Sequence, residues 1–354
     1  MMHDSTALPS EIADRLRREI VAGRLAPGTQ LPTWSVLQRR FGIARPTLMK
    51  AMAELKRDGL IVADSTRGSF VAGRPPHLVR TVLVLPLPNL TPVRLRVQDA
   101  LSTAAKRLHG KNGRQLEVVE GVASGSPAML QLADEARRGC IAGLINPGGG
   151  DLHMLKRYFP VPVPMVRLIV RERGMPSIPF DVLGFAEHAM TWLKSRGRQR
   201  IAVITTMSGH GVPWSEVISH HGFESRRGWL LHLPLGHSAT VQAVAALLTD
   251  PDIHPRPDAV IVEDDNLVGD VLAGFAAVGA RIGTDLDIVT HTNWPLPVPA
   301  PRGVRRLGFD LVEALRQSVA LIDDLRAGLN PQPPPALPAR FENRLDSEPQ
   351  GIMP

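Results

Sequence analysis

The stretch from Glu11 to Val71 constrains this chain more than any other, because it spaces three helices and two short strands around one small core. Ile12, Leu16 and Ile20 recur at i, i+4 and i+8 and form one apolar stripe. Ser10 is placed to cap that helix, since a serine hydroxyl accepts from an orphan N–H of the first turn, and Gly23 ends it. A second helix starts at Thr33, turns Val36 and Leu37 inward and stops at Gly42 after Phe41. The third carries Leu48, Ala51, Met52 and Leu55 on one side and ends at Gly59. Pro46 lies in its first turn, where a missing N–H costs nothing. Leu60–Asp64 and Ser69–Ala72 then read as strands about a tip at Ser65–Gly68. Three helices and a two-stranded wing make a winged helix-turn-helix, a unit that lays its third helix in a DNA groove.

Leu31-Pro32, Phe41-Gly42-Ile43, Arg45-Pro46-Thr47-Leu48, Leu55, Gly59-Leu60-Ile61 and Gly68-Ser69-Phe70-Val71 follow one another at a fixed spacing. In these residues the chain resembles the GntR family of bacterial regulators over about sixty consecutive positions. It also departs from that family. Ala44 stands where the family has a capping Ser, Trp34-Ser35 where it has Glu-Arg, and Met49 where it has Arg. Each change removes a polar or basic group from the DNA face. The resemblance leaves Arg45 to read bases, bidentate on guanine, with about 1–3 kcal/mol of discrimination. Thr47, Lys50 and Arg67 remain as phosphate or groove contacts. The implied DNA-binding set is Thr33, Ser35, Ala44, Arg45, Pro46, Thr47, Lys50, Arg67, Gly68 and Ser69.

Charge agrees with a polyanionic partner for this head. Residues 1–73 hold 11 Lys+Arg against 7 Asp+Glu, whereas the remainder holds 30 against 27. At 354 residues and 44% hydrophobic content the chain fills more than one core. Its one cysteine, Cys140, excludes an internal disulfide or a Cys-based zinc cluster and fits a reducing cytoplasm. There is no basic-then-apolar leader and no apolar run near ~20 residues. Export and membrane insertion are therefore not expected.

Gly73-Arg74-Pro75-Pro76 is a stiff, polar segment, and 74–79 is expected as a hinge linker between the 1–73 head and a second domain, 80–347. From there strand and helix patterns alternate. Strands are expected at Thr81–Leu87, Gln115–Val119, Ile141–Ile145, Val161–Val170, Ile201–Thr205, Ala259–Val262 and Leu286–Thr290. Helices are expected near Val97–Leu108, Ala128–Arg138, Phe185–Ser195, Ala239–Thr249 and Gly269–Val278. Such alternation implies α/β architecture with parallel sheets covered by helices, in two blocks meeting near Thr191. Asn330–Pro335 is a Pro-rich connector to a last strand within Leu337–Ser347, and 348–354 is expected as a disordered tail.

Phe180-Asp181, the helix end Leu193–Gly197 leading into Ile201–Ile204, Arg256–Val260, Glu263-Asp264-Asp265 and Asp285–Val289 give the second domain a looser likeness. It resembles the ligand-sensing part of LacI-type regulators, which is similar in turn to periplasmic sugar-binding proteins. That resemblance implies a bilobed domain closing over a small polar effector, such as a sugar, beyond the carboxyl ends of the strands. It places Asn89, Asp181, Trp214, Glu263, Asp264, Asn293 and Trp294 around the effector, with the two tryptophans able to stack on a sugar face. Ser219 stands where the family grips its ligand with an arginine, Glu263-Asp264 replaces Asn-Asp, and Thr292-Asn293-Trp294 replaces a pair of aspartates.

Other function classes find less support. Gly148-Gly149-Gly150 lacks the Lys-Ser/Thr of a phosphate loop, and no Gly-x-Ser-x-Gly elbow occurs. His220-His221, His232 and His237 lack the i, i+4 spacing of a metal face. The expectation is a cytoplasmic, homodimeric repressor without a cofactor, bound to a double-stranded, roughly palindromic operator and controlled by a small polar effector. The alternatives are a DNA-binding regulator with a degenerate sensor, or a metabolite-binding or metal-binding protein or enzyme.

Overall fold

The computed structural model describes residues 8–86, 95–148, 157–159, 163–206, 211–250 and 252–342. The first three helices are α1 (Pro9–Val21), α2 (Trp34–Phe41) and α3 (Arg45–Arg57). Strands β1 (Ile61–Asp64) and β2 (Gly68–Val71) pair antiparallel, with Ile61 opposite Val71 and Asp64 opposite Gly68. Ile12, Leu16, Leu37, Leu48, Leu55 and Leu60 are almost wholly buried in a common core. Truncating any of them to alanine costs about 2–5 kcal/mol, through lost transfer energy and the cavity left behind.

Two local expectations are corrected. Helix α1 begins earlier than Ser10: Leu8 is its N-cap, Pro9 pre-sets the first turn, and the Leu8 N–H donates to the Glu11 carboxylate at 3.2 Å. Val36 does not face inward. It is 45% exposed on the eight-residue α2, whose buried contact is Leu37. Gly42 ends α2 in the left-handed region, φ 66°, where a Cβ would be strained, and this sets the sharp turn into α3.

The segment 74–79 contains the short helix α4 (Pro76–Val79), in which His77 is buried. Beyond it come β3 (Arg80–Val84), α5 (Arg96–Leu108), β4 (Gln115–Val119), α6 (Pro127–Arg137), β5 (Gly143–Asn146), β6 (Met165–Ile169) and β7 (Ser177–Pro179). These strands form a sheet in the order β4-β3-β5-β6-β7. Next are α7 (Val182–Ser195), β8 (Ile201–Thr206), α8 (Trp214–His220), β9 (Leu230–Leu233), α9 (Ser238–Thr249), β10 (Ala259–Val262) and α10 (Val268–Ala277). The last elements are β11 (Asp287–Trp294), β12 (Val304–Asp310), α11 (Leu311–Arg326) and β13 (Arg340–Phe341). They build a six-stranded sheet in the order β13-β12-β11-β10-β8-β9, parallel except for β13. The α/β class with parallel sheets is thus as expected. Among the described residues no helix is long and apolar enough to cross a membrane.

The chain packs as two compact units, and their division does not fall at Gly73 or at Thr191. One unit comprises Met1–Leu87, Leu108–Val166 and Ser318–Gln332, so the winged head and β3, β4, β5 and α6 belong together. Within it, Asp58 at the end of α3 accepts from Arg17 Nη2 at 2.8 Å and from Arg138 Nη1 at 2.7 Å. Cys140 Sγ donates to the Asp58 carbonyl at 3.7 Å. The Arg114 guanidinium bridges to both oxygens of Asp323, at 2.7 and 2.5 Å.

The other unit comprises Pro88–Arg107, Arg167–Gln317 and Pro333–Pro354. Its core joins Ile204, Val262, Ile288 and Val304 of the sheet to Val241 and Ala245 of α9 and Val268, Val271 and Phe275 of α10. Gly274 lets α9 and α10 touch, since a Cβ there would lie 2.3 Å from the Gln242 carbonyl oxygen.

Candidate nucleic-acid interface and effector cavity

Helix α3 starts at Arg45, which follows the N-cap Ala44, and its first turn holds no acidic residue. The N-terminal end of a helix carries partial positive charge and unsatisfied N–H groups, so this end favours anions and hydrogen-bond acceptors. Arg45 and Lys50 are exposed, as are Ala44, Pro46, Thr33 and Ser35, while Thr47 is half-buried. Thr33 is the N-cap of α2, but its hydroxyl makes no cap bond; it lies 3.1 Å from the Ser35 hydroxyl. The Arg45 guanidinium stands over the Trp34 ring, 5.9 Å from the centroid.

The wing is held by Asp64. Its Oδ1 accepts from the backbone N–H groups of Thr66 and Arg67, both at 2.9 Å, and from the Thr66 hydroxyl at 2.8 Å. The Thr66 bond comes first among the causes that lower the Asp64 pKa, so the carboxylate stays charged and keeps the turn. Gln30 Nε2 donates to the Arg67 carbonyl at 2.6 Å, and the Arg67 guanidinium stands over Phe70 at 5.3 Å. Exposed Arg67 thus lies in the turn, and exposed Gly68 and half-buried Ser69 open β2.

The second site lies wholly within the unit that carries the six-stranded sheet. A cavity of about 610 Å³ opens there, and Asp264, Asp265, Asn266, His291 and Asn293 supply polar wall together with Arg171. Phe180 and Phe309 give an apolar side; their rings stack with centroids 4.4 Å apart. Asp264–Asn266 follow the carboxyl end of β10, and His291 and Asn293 end the neighbouring parallel β11. Ligands of open parallel sheets bind beyond those ends.

The acidic loop shapes itself. Asp264 Oδ1 accepts from the Asn266 N–H at 2.8 Å and from Asn266 Nδ2 at 2.7 Å, while Asn266 Oδ1 accepts from the Arg96 N–H at 2.9 Å. Asn293 Nδ2 donates to Asp265 at 3.1 Å, and the Arg96 Nε lies 3.8 Å from the same carboxylate. Burial, reinforced by the charge of Asp264, pushes the Asp265 carboxyl up to about 7. The side-chain Oδ1 of Asn293 is buried and, among the described residues, has no hydrogen-bond partner. The wall therefore combines acceptors, amides and an aromatic face, a chemistry that suits a hydroxyl-rich ligand.

Of the residues expected around the effector, Asp264 and Asn293 line this cavity. Asn89 lies outside the described residues. Asp181 caps α7 instead, accepting from the Gly184 N–H at 2.9 Å. Glu263 is not in the wall and accepts from Trp214 Nε1 at 3.0 Å. Trp214 lines a separate cavity of about 220 Å³ with Thr205 and His232. Trp294 follows Asn293 on β11 and so faces the opposite side of the sheet; it is not in the wall. Asp265, Asn266, His291, Phe180, Phe309 and Arg171 also line the wall and are not among the residues expected there. The i, i+2 relation of His291 to Asn293, once the strand is placed, was the available signal for the histidine.

The histidines considered for a metal are engaged locally. His221 Nε2 lies 2.7 Å from Glu187, His232 Nδ1 lies 3.3 Å from the Thr206 carbonyl, and His237 Nδ1 lies 3.1 Å from the Leu235 carbonyl. Cys140 is buried, and burial raises its thiol to about 11. Gly148 N–H donates to Asn146 Oδ1 at 2.9 Å, and 149–150 lie outside the described residues.

Comparison with known proteins gives a family match to the head and a likeness of fold over most of the chain. Residues 8–71 match the bacterial regulatory proteins of the gntR family. The mannosyl-D-glycerate transport/metabolism system repressor MngR of Escherichia coli (strain K12) is 39% identical over 61 residues, which are 17% of this chain and 25% of that protein. The chain thus spans about a quarter of that curated relative. A regulatory protein of the LacI family from Chloroflexus aggregans aligns with TM-score 0.59 at 18% identity, over 74% of this chain and 96% of that one. A LacI family transcriptional regulator from Lactobacillus casei, with bound glucose, aligns with TM-score 0.54 at 17% identity, over 75% and 98% of the two chains. At those identities the likeness is one of fold.

Proposed function

We propose that this chain, whose residues 8–71 are a gntR-family winged helix-turn-helix, is a sequence-specific DNA-binding transcriptional regulator controlled by a small polar effector. The observation that carries the proposal is the uncapped, acid-free start of α3 with exposed Arg45 and Lys50 beside a wing that presents Arg67. Arg45 reads guanine in the major groove, Lys50 and Thr47 engage phosphate, and Arg67 reaches the adjacent groove or backbone. Thr33, Ser35, Ala44, Pro46, Gly68 and Ser69 complete the contact surface.

The regulator acts as a cytoplasmic homodimer, and a two-fold pair of heads calls for a roughly palindromic operator. Repression is the mode favoured, because MngR is a repressor. The cavity walled by Asp264, Asp265, Asn293 and the Phe180–Phe309 stack takes a hydroxyl-rich effector such as a sugar. The glucose bound by the Lactobacillus casei regulator supports that ligand class. A coupling of ~1–3 kcal/mol between effector and operator changes affinity about 5–150-fold.

Selection of bound fragments from randomised duplex DNA, at near-physiological salt with the full chain, tests the first claim. One enriched palindrome is expected, and its affinity should change when sugars are added. Recovery of no motif, with binding that vanishes as salt rises, would overturn the regulator. An enriched motif indifferent to every sugar would overturn the carbohydrate effector alone.

A further inference from the structure

Three exposed arginines of the head stand over aromatic rings, and they are held in two different ways. Arg40 stands over Phe41 at 5.1 Å but is also neutralised by Glu19, which pairs with its guanidinium. Arg45 and Arg67 stand over Trp34 and Phe70, and among the described residues neither is in an ion pair. The ring at position 34 is anchored, since Trp34 is half-buried and packs against the head's core.

From this we infer that Trp34 is a specificity-determining positioning residue, which holds the Arg45 guanidinium ready for a guanine edge. The inference rests on the DNA-binding function proposed above. Arg45 is the first residue of α3, where the helix dipole opposes a cation, so a free side chain has reason to swing away. A carboxylate at position 34 would hold the arginine by neutralising it and occupying its donors. An aromatic face attracts the cation through its quadrupole and leaves the in-plane N–H groups open. Replacement of the family's Glu by Trp34 therefore changes how the arginine is presented, and it does so without removing positive potential from the groove.

The test uses the full chain and two duplexes, the site it enriches and the same site with the Arg45-contacted G·C pair replaced. Exposed cation–π contacts predict that Trp34→Leu narrows the affinity ratio between them about two- to fivefold. Affinity for the replaced duplex should stay within about twofold. Trp34→Phe should keep the ratio, and Trp34→Leu added to Arg45→Ala should narrow it no further. An unchanged ratio in Trp34→Leu, or an equal loss in the Arg45→Ala background, would overturn the inference, the second outcome marking Trp34 as a packing residue. If the wild-type chain enriches no site, the DNA-binding function itself fails, and that is seen before any Trp34 variant is made.

Discussion

The Asp58 carboxylate accepts a 2.7 Å hydrogen bond from Nη1 of Arg138, a residue that follows α6 eighty positions later. Arg17 of α1 binds the other oxygen at 2.8 Å, so one fully buried carboxylate side chain ties two helices of the winged head to the loop before Cys140. Gly139 permits this approach, because a Cβ there would lie 2.8 Å from the Val21 side chain. The expected hinge at 74–79 is therefore bridged by contacts within one compact unit.

Asp58→Ala should destabilise the protein by about 3–5 kcal/mol, since it leaves the buried Arg17 guanidinium with only the exposed Asp14 carboxylate as its anion. Paired Asp58→Leu and Arg17→Met should recover much of that loss. Denaturant unfolding of both variants decides it, and an Asp58→Ala cost under ~1 kcal/mol would mean that the contact is not formed in solution.

Arg45→Ala should remove about 1–3 kcal/mol of discrimination at one base pair, whereas Lys50→Ala should weaken all sequences alike and lower the salt slope by about 1. Binding titrations at several salt concentrations separate the two. Wild-type behaviour in both variants would move the recognition surface away from α3.

His77 is held neutral. Burial, with Arg326 adding to it, lowers its pKa from 6.5 to about 4. The unfolded chain then binds a proton that the native chain does not, so stability is full above about 6.5 and is lost as pH falls toward 4. Melting temperature followed over that window should fall less steeply for His77→Leu than for wild type. Parallel curves would place His77 in solvent.

Asp265 works in the opposite sense. With its carboxyl raised from 3.8 to about 7, the native state keeps a proton that the unfolded chain releases, so stability declines as pH rises across that window. Asp265→Asn should raise the melting temperature more at pH 8 than at pH 5. An equal change at both would deny the carboxyl its buried setting.

Cys140 should resist alkylation at pH 8, because its thiol titrates near 11 and it is buried beside Asp58. Mass spectrometry after iodoacetamide treatment should find it unmodified until denaturant is added.

Much of this architecture follows from local pattern. The 3.6-residue repeat of Ile12, Leu16 and Ile20 fixed α1, the glycines fixed the turns, and β4 and β10 run between their expected residues. Strand β12 and helix α11 were not anticipated. Arg305 and Arg306 interrupt the strand's apolar run; Arg305 stands over the Trp192 and Phe341 rings, and Arg306 donates to the Val298 carbonyl at 2.7 Å and binds Glu342.

The amino-acid sequence alone determined the winged head, its basic surface and the alternating parallel architecture, because periodicity, turn residues and charge act over a few positions at a time. Which side chains meet was decided by the tertiary structure. Asp265 comes to Asn293 only when β10 and β11 lie side by side, and Trp294 leaves the cavity because strand side chains alternate. Asp58 meets Arg138 only when the head packs on the segment after α6. Contacts between residues so far apart in the chain depend on packing that no local pattern encodes.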